Sequence, residues 1–172
     1  LDVAEGLFKK LEAPVYYRLG IGGFIVGMIA IWYPGVWGNG YVVTNRILDE
    51  GFMSEPYPLL FLAGLGLAKL VSILATVGSG AVGGVFTPTL FLGASLGAIF
   101  GLSLKELHAA ENLPIATFAL VGMGGMLAST TRSPLLAMIM LIEISLDYSL
   151  IPPLMIACVV SILVAKRLHP AS

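Results

Sequence analysis

Gly78-Ser79-Gly80-Ala81-Val82-Gly83-Gly84-Val85-Phe86-Thr87-Pro88 is a glycine-rich break between two apolar runs, and its reading decides the fold. Upstream, Pro58 to Val77 is long enough to cross a bilayer but carries Lys69 near its middle. A lipid-facing helix tolerates such a charge poorly, so Lys69 is expected to face protein or water. Downstream, a further apolar segment runs from Val85 to about Leu104. Three readings of the break compete. Gly78, Gly80 and Gly83 satisfy the G-x-G-x-x-G spacing of a dinucleotide loop, and Leu70 to Val77 could pass for a buried strand. That fold needs a second strand ending in an acidic residue about 20 residues on, whereas Glu106 follows an uninterrupted apolar helix. A flexible turn that serves helix packing fits the spacing as well. The third reading is an anion cradle, in which Gly83 and Gly84 let the backbone approach a ligand and Pro88 sits in a first helical turn, where its missing donor costs little. The N–H groups of Val85 and Phe86 would then point at an anion, with the positive end of the helix dipole behind them. Chloride suits such a cradle, because a weakly basic sphere held by several modest donors can both enter and leave.

Composition narrows the class further. Of the 172 residues, 58% are hydrophobic and 11% charged, against about 45–50% and about 25% in soluble domains, so the bilayer is the solvent to consider. The 21 glycines and seven methionines agree with close helix packing in lipid. Nine basic against ten acidic residues leave a formal charge of −1 and no basic surface for nucleic acid. Cys158 stands alone in an apolar run, and His108 and His169 lie in separate polar connections, so neither a disulfide nor a metal site is expected. No enzyme chemistry or cofactor is expected either. The chain begins at Leu1, and Leu1 to Pro14 is amphipathic and charged without the pattern of a signal peptide, which suggests a native N-terminal part beyond it.

The remaining apolar segments are uneven in length. Val15 to Tyr33 carries only Arg18, close enough to the end to snorkel, and roughly matches a hydrocarbon core of about 30 Å. Tyr33-Pro34-Gly35 and Gly38-Asn39-Gly40 mark its end, Tyr41 to Leu48 is a short segment, and Asp49 to Glu55 reads as a polar connection. Lys105 to Pro114 is the next connection, followed by Ile115–Thr131, Pro134–Leu146 and Leu150–Ala165, the last containing Pro152-Pro153. Several of these are too short to cross fully. Transporters use such interrupted segments where half-helices end near the bilayer midplane and aim their termini at an ion. The fold class expected is all-α, with polytopic transmembrane helices.

The stretch from Gly78 to Pro88, Gly-Ser-Gly-Ala-Val-Gly-Gly-Val-Phe-Thr-Pro, resembles the G-x-F-x-P signature of the CLC family of chloride channels and chloride/proton antiporters. Lys69 looks like the basic residue common upstream of it, and Phe118 to Pro134 resembles the family's later G-M-x-A/G segment. Leu141-Ile142-Glu143 through Tyr148 to Pro153 is similar to its L-x-E-x-x-x-x-Y-x-x-x-x-P stretch. The resemblance covers nearly the whole chain and implies a partial transmembrane domain over residues 1–172, the second of two inverted repeats. It implies anion-binding backbone N–H groups at Val85 and Phe86 and a loop shaped by Gly83, Gly84 and Pro88. Lys69, on the helix that delivers the loop, has two readings: an electrostatic role that raises the local anion concentration, or pairing with a buried carbonyl or carboxylate. The first repeat, with the family's serine loop and its gating and proton-transfer glutamates, and the last helix, with the pore tyrosine, are expected to lie outside this chain. The resemblance further implies a homodimer through helices near 134–146 and 150–165. The partners expected are chloride or a similar anion, the lipid bilayer and the first repeat. A membrane module that packs or assembles without transport is the alternative.

Other polar residues receive structural readings. Glu143 is expected to pair or cap within the protein, Tyr148 to hydrogen-bond at a wet boundary, and Arg132 to anchor at the interface. Lys166 and Arg167, ending the last helix, suggest a cytoplasmic C-terminus.

Overall fold

A computed structural model of the chain describes residues 14–49, 51–54, 58–81, 83–84, 86–109 and 113–168. Those residues form seven α-helices and no strand: α1 (Val15–Trp32), α2 (Tyr41–Leu48), α3 (Pro58–Gly78), α4 (Phe86–Glu106), α5 (Ile115–Thr131), α6 (Pro134–Ser145) and α7 (Ile151–Leu168). Single 3-10 turns at Pro34–Val36, Gly51–Ser54 and Tyr148–Leu150 join some of them. Four stretches are long and apolar enough to cross a membrane, namely Val15–Trp32, Pro58–Gly78, Phe86–Glu106 and Tyr148–Leu168, while α5 and α6 are shorter.

Local chemistry sets the boundaries. Pro34 disfavours helical backbone at the residue before it, and Tyr33 accordingly leaves the α region at φ −127° and ψ 81°. Pro134 opens α6 at a position where no N–H is needed, and Leu146, at φ 53°, closes it by donating its N–H to the Ile142 carbonyl oxygen at 2.8 Å. Asp147 then accepts the Ser149 N–H at 2.9 Å, and hydrogen bonding to the Ser149 side chain and backbone holds its carboxyl below the usual range. The last helix is longer than its sequence suggests. Pro152 and Pro153 interrupt nothing, because both fall in the first turn of α7, where a missing donor is harmless, and the helix continues past Ala165 to Leu168. The connection after α2 is less polar than expected as well, since Phe52 is buried there with the Arg46 guanidinium 5.2 Å from its ring centre.

The core lies along α4 and α5, whose contact is the most extensive in the chain. It is made by glycine: a Cβ on Gly97 would collide with the Phe118 carbonyl oxygen, and one on Gly93 would lie 2.7 Å from the Gly122 oxygen and the Met123 Cα. Backbones approach this closely only where side chains are absent, which suits a membrane, where lipid leaves van der Waals packing as the main attraction between helices. Phe91, Ala94 and Ala98 of α4 and Ala119, Met123 and Leu127 of α5 are fully or almost fully buried. Leu141 of α6 and Leu154 and Cys158 of α7 close the far side, with Cys158 serving as a small packing residue. On the near side α3 packs on α4, and α1 packs chiefly on α3, leaving most of its own surface exposed.

Candidate functional site

The loop between α3 and α4 begins in a defined cap. Gly80, at φ +91°, donates to the Val77 carbonyl oxygen at 3.0 Å, and Ala81 donates to the Thr76 oxygen at 3.2 Å. This is the Schellman arrangement, in which a left-handed residue just past the helix satisfies carbonyls that would otherwise be orphaned. Ser79 is buried beside it and packs against α1 at Gly22, where a Cβ would lie 2.7 Å from the Ser79 Cβ. The end of α3 is thus pinned, and the chain leaves it toward Gly83, Gly84 and the start of α4.

Beyond that cap is an open groove of about 740 Å³ between α1, α3 and the start of α4. Gly83, Gly84, Thr87 and Pro88 line one side of it, Gly23 and Gly27 of α1 another, and Lys69, Ser72 and Thr76 of α3 its polar stripe. Phe86, 37% exposed, is the first residue of α4, and Pro88 is the third. Among the described residues the amide N–H groups of Gly83, Gly84, Phe86 and Thr87 have no hydrogen-bond acceptor. They sit where the α4 dipole is positive, which makes this end of the groove a favourable place for negative charge. Val85 lies outside the described residues, so its expected donor is not part of this geometry. The backbone of Gly84 is not in the left-handed region and a Cβ there meets nothing within 4 Å, so a side chain would intrude on the groove without straining the loop. The position that demands glycine for its backbone is Gly80.

Lys69 stands on the groove wall with 3% exposure. Its Nζ donates to the carbonyl oxygens of Val36 and Gly38, each at 2.8 Å, and lies 5.6 Å from the centre of the buried Phe91 ring. No carboxylate pairs with it among the described residues. The Val36–Asn39 segment that it grips is also held by Trp37, whose Nε1 donates to the Ala30 oxygen at 3.2 Å. Trp37, Gly38 and Asn39 line the groove too, although in the sequence this stretch marks only the end of the first apolar segment. A signal was present in the buried lysine itself, which had to find acceptors somewhere.

The full residue range, set against known families, decides the identity. The profile of the voltage gated chloride channel family matches residues 1–166. The chain belongs to that family. A ClcB-like protein of Ralstonia nicotianae is 44% identical over 160 residues, 92% of this chain and 36% of its own length. The voltage-gated ClC-type chloride channel ClcB of Escherichia coli O139:H28 is 39% identical over 162 residues, 94% of this chain and 38% of its own, and that of Escherichia coli K12 matches to the same extent. The chain therefore spans little more than a third of the length of these relatives. As a member of this chloride channel family it is a membrane protein, in keeping with the four long apolar helices among the described residues.

The other polar residues are scattered. The carboxylate of Glu143, exposed near the end of α6, has no ion pair or hydrogen bond among the described residues, so the expected pairing within the chain is not seen there. Tyr148 opens its 3-10 turn exposed to the surroundings, with no hydrogen bond to its hydroxyl among the described residues. Arg132 caps α5 in the left-handed region at φ 55°. His169 falls outside the described residues, and among those described no cluster of His, Cys, Asp and Glu could hold a metal ion.

Proposed function

We propose that this chain forms one side of the anion pathway of a membrane chloride channel or chloride/proton antiporter. The observation that carries the reading is a groove lined by Gly83, Gly84, Thr87 and Pro88 around the start of α4 and by the buried Lys69, beside amide N–H groups that have no acceptor among the described residues. An anion entering it loses part of its water and gains backbone donors, with no arginine or lysine side chain placed directly upon it. Phe86 and Val85 supply N–H groups in this reading, while Gly83, Gly84 and Pro88 keep the approach open. The groove is one-sided, and the covering wall comes from the first repeat of a longer polypeptide, as the length of the relatives suggests. The exposed apolar faces of α6 and α7, including Leu135, Ile139, Met155, Ile156 and Val159, fit the homodimer interface that the family resemblance implies. Lys166 and Arg167 at the end of α7 favour a cytoplasmic C-terminus.

Reconstitution in liposomes tests the reading. The full-length polypeptide is expected to release chloride selectively, and the 172-residue chain at matched density is expected not to, because its groove would open to lipid and its backbone groups would lack partners. Selective chloride flux from the 172-residue chain alone would overturn the half-pathway reading, and none from the full-length protein would overturn the transport reading.

A further inference from the structure

We infer that Lys69 is a positioning residue of the groove, which keeps it hospitable to anions by sequestering the Val36 and Gly38 carbonyl oxygens and holding the segment between them in place. The inference rests on the groove being an anion path. Val36, Gly38 and Lys69 all belong to the groove wall, and Nζ sits between the two oxygens at 2.8 Å from each. A free carbonyl oxygen on such a wall is the negative end of a dipole and would repel an anion or recruit a cation. The ammonium turns both oxygens toward itself and offsets their partial charge. Phe91 beneath it and the nearly complete burial of Lys69 leave the ammonium little freedom to reach an ion instead. Gly40 completes the seat: it packs on the Phe91 ring, which a Cβ there would approach to 2.8 Å. The second pin, from Trp37 Nε1 to the Ala30 oxygen, ties the same segment to α1.

This role differs from long-range attraction of anions, which acts through solvent and weakens as salt screens it. Contact sequestration of carbonyls inside the wall is insensitive to salt. The test uses the full-length polypeptide in liposomes, with chloride flux per folded molecule and chloride-over-potassium selectivity read at low and high ionic strength. Lys69→Met is expected to lose flux by about tenfold or more, the scale of losing hydrogen bonds to a charged group, and to lose selectivity, equally at both ionic strengths. Lys69→Arg, which can still donate to both oxygens, should restore most of each. Should Lys69→Met fail to fold, Trp37→Phe removes the other pin and should give a smaller loss in the same direction, again independent of salt. Three results would overturn the inference: a deficit in Lys69→Met confined to low salt, unchanged flux and selectivity per folded molecule in Lys69→Met, or full activity in Trp37→Phe where Lys69→Met cannot be measured. An inactive wild-type protein would instead refute the transport reading on which the inference rests.

Discussion

The seam between α4 and α5 and the loop between α3 and α4 are both built on glycine, for opposite reasons. At the seam, Cβ atoms on Gly93, Gly97 or Gly122 would run into the backbone of the facing helix, which cannot move aside. At the loop, a Cβ on Gly80, Gly83 or Gly84 meets nothing within 4 Å. The first set removes volume so that two helices can touch. The second leaves open space beside the backbone at Gly83 and Gly84 and, at Gly80, serves a left-handed backbone conformation. Glycine content in a membrane chain therefore carries two meanings that composition cannot separate.

Substitutions can break this contrast, and the seam should respond most. Gly97→Ala is expected to destabilise the folded protein by about 3 kcal/mol or more, because its added methyl meets the Phe118 carbonyl rather than a side chain that could shift. Thermal denaturation of the full-length protein in detergent measures this, and wild-type stability would show that the seam has slack. At the loop the effect should move from stability to transport. Gly84→Val is expected to change stability by less than about 1 kcal/mol, as for substitutions outside packed features, yet to lower chloride flux by about tenfold or more, a barrier increase of about 1.4 kcal/mol. Phe86→Leu keeps the backbone donor and should alter flux by less than about twofold. Equal, near-normal flux in liposomes from both variants would defeat the cradle. Gly80→Ala should cost about 1–2 kcal/mol, the strain of a left-handed conformation in a residue with a side chain, and leave flux per folded molecule unchanged. A larger stability loss would mean that the Schellman cap also anchors the groove.

Much of the helical layout was legible because its causes are local. Continuous apolar runs marked the long helices, and glycine and proline marked the breaks, so that Tyr41–Leu48 and Ile115–Thr131 agree with the expected segments at both ends. Pro152 and Pro153 misled for a local reason as well, since a proline reads as an interruption until the start of the helix is known. Of the residues singled out in the sequence, Gly83, Gly84, Pro88 and Lys69 line the groove, Phe86 does not, and Val85 lies outside the described residues, while Trp37, Gly38 and Asn39 line it without having been singled out as site residues. Nothing in the composition of a turn after a helix says that its carbonyls will face a lysine on another one.

The sequence by itself determined that this is a helical membrane chain, where its helices break, and which family it belongs to, because hydropathy, backbone permissiveness and motif order are properties of neighbouring residues. Only the tertiary structure decided what Lys69 holds and where the groove has its walls. Its two acceptors lie 33 and 31 residues back along the chain, and their oxygens are main-chain atoms that every residue possesses. Which carbonyls a buried ammonium finds depends on how α1, α3 and α4 pack, and no pattern of side chains encodes that in advance.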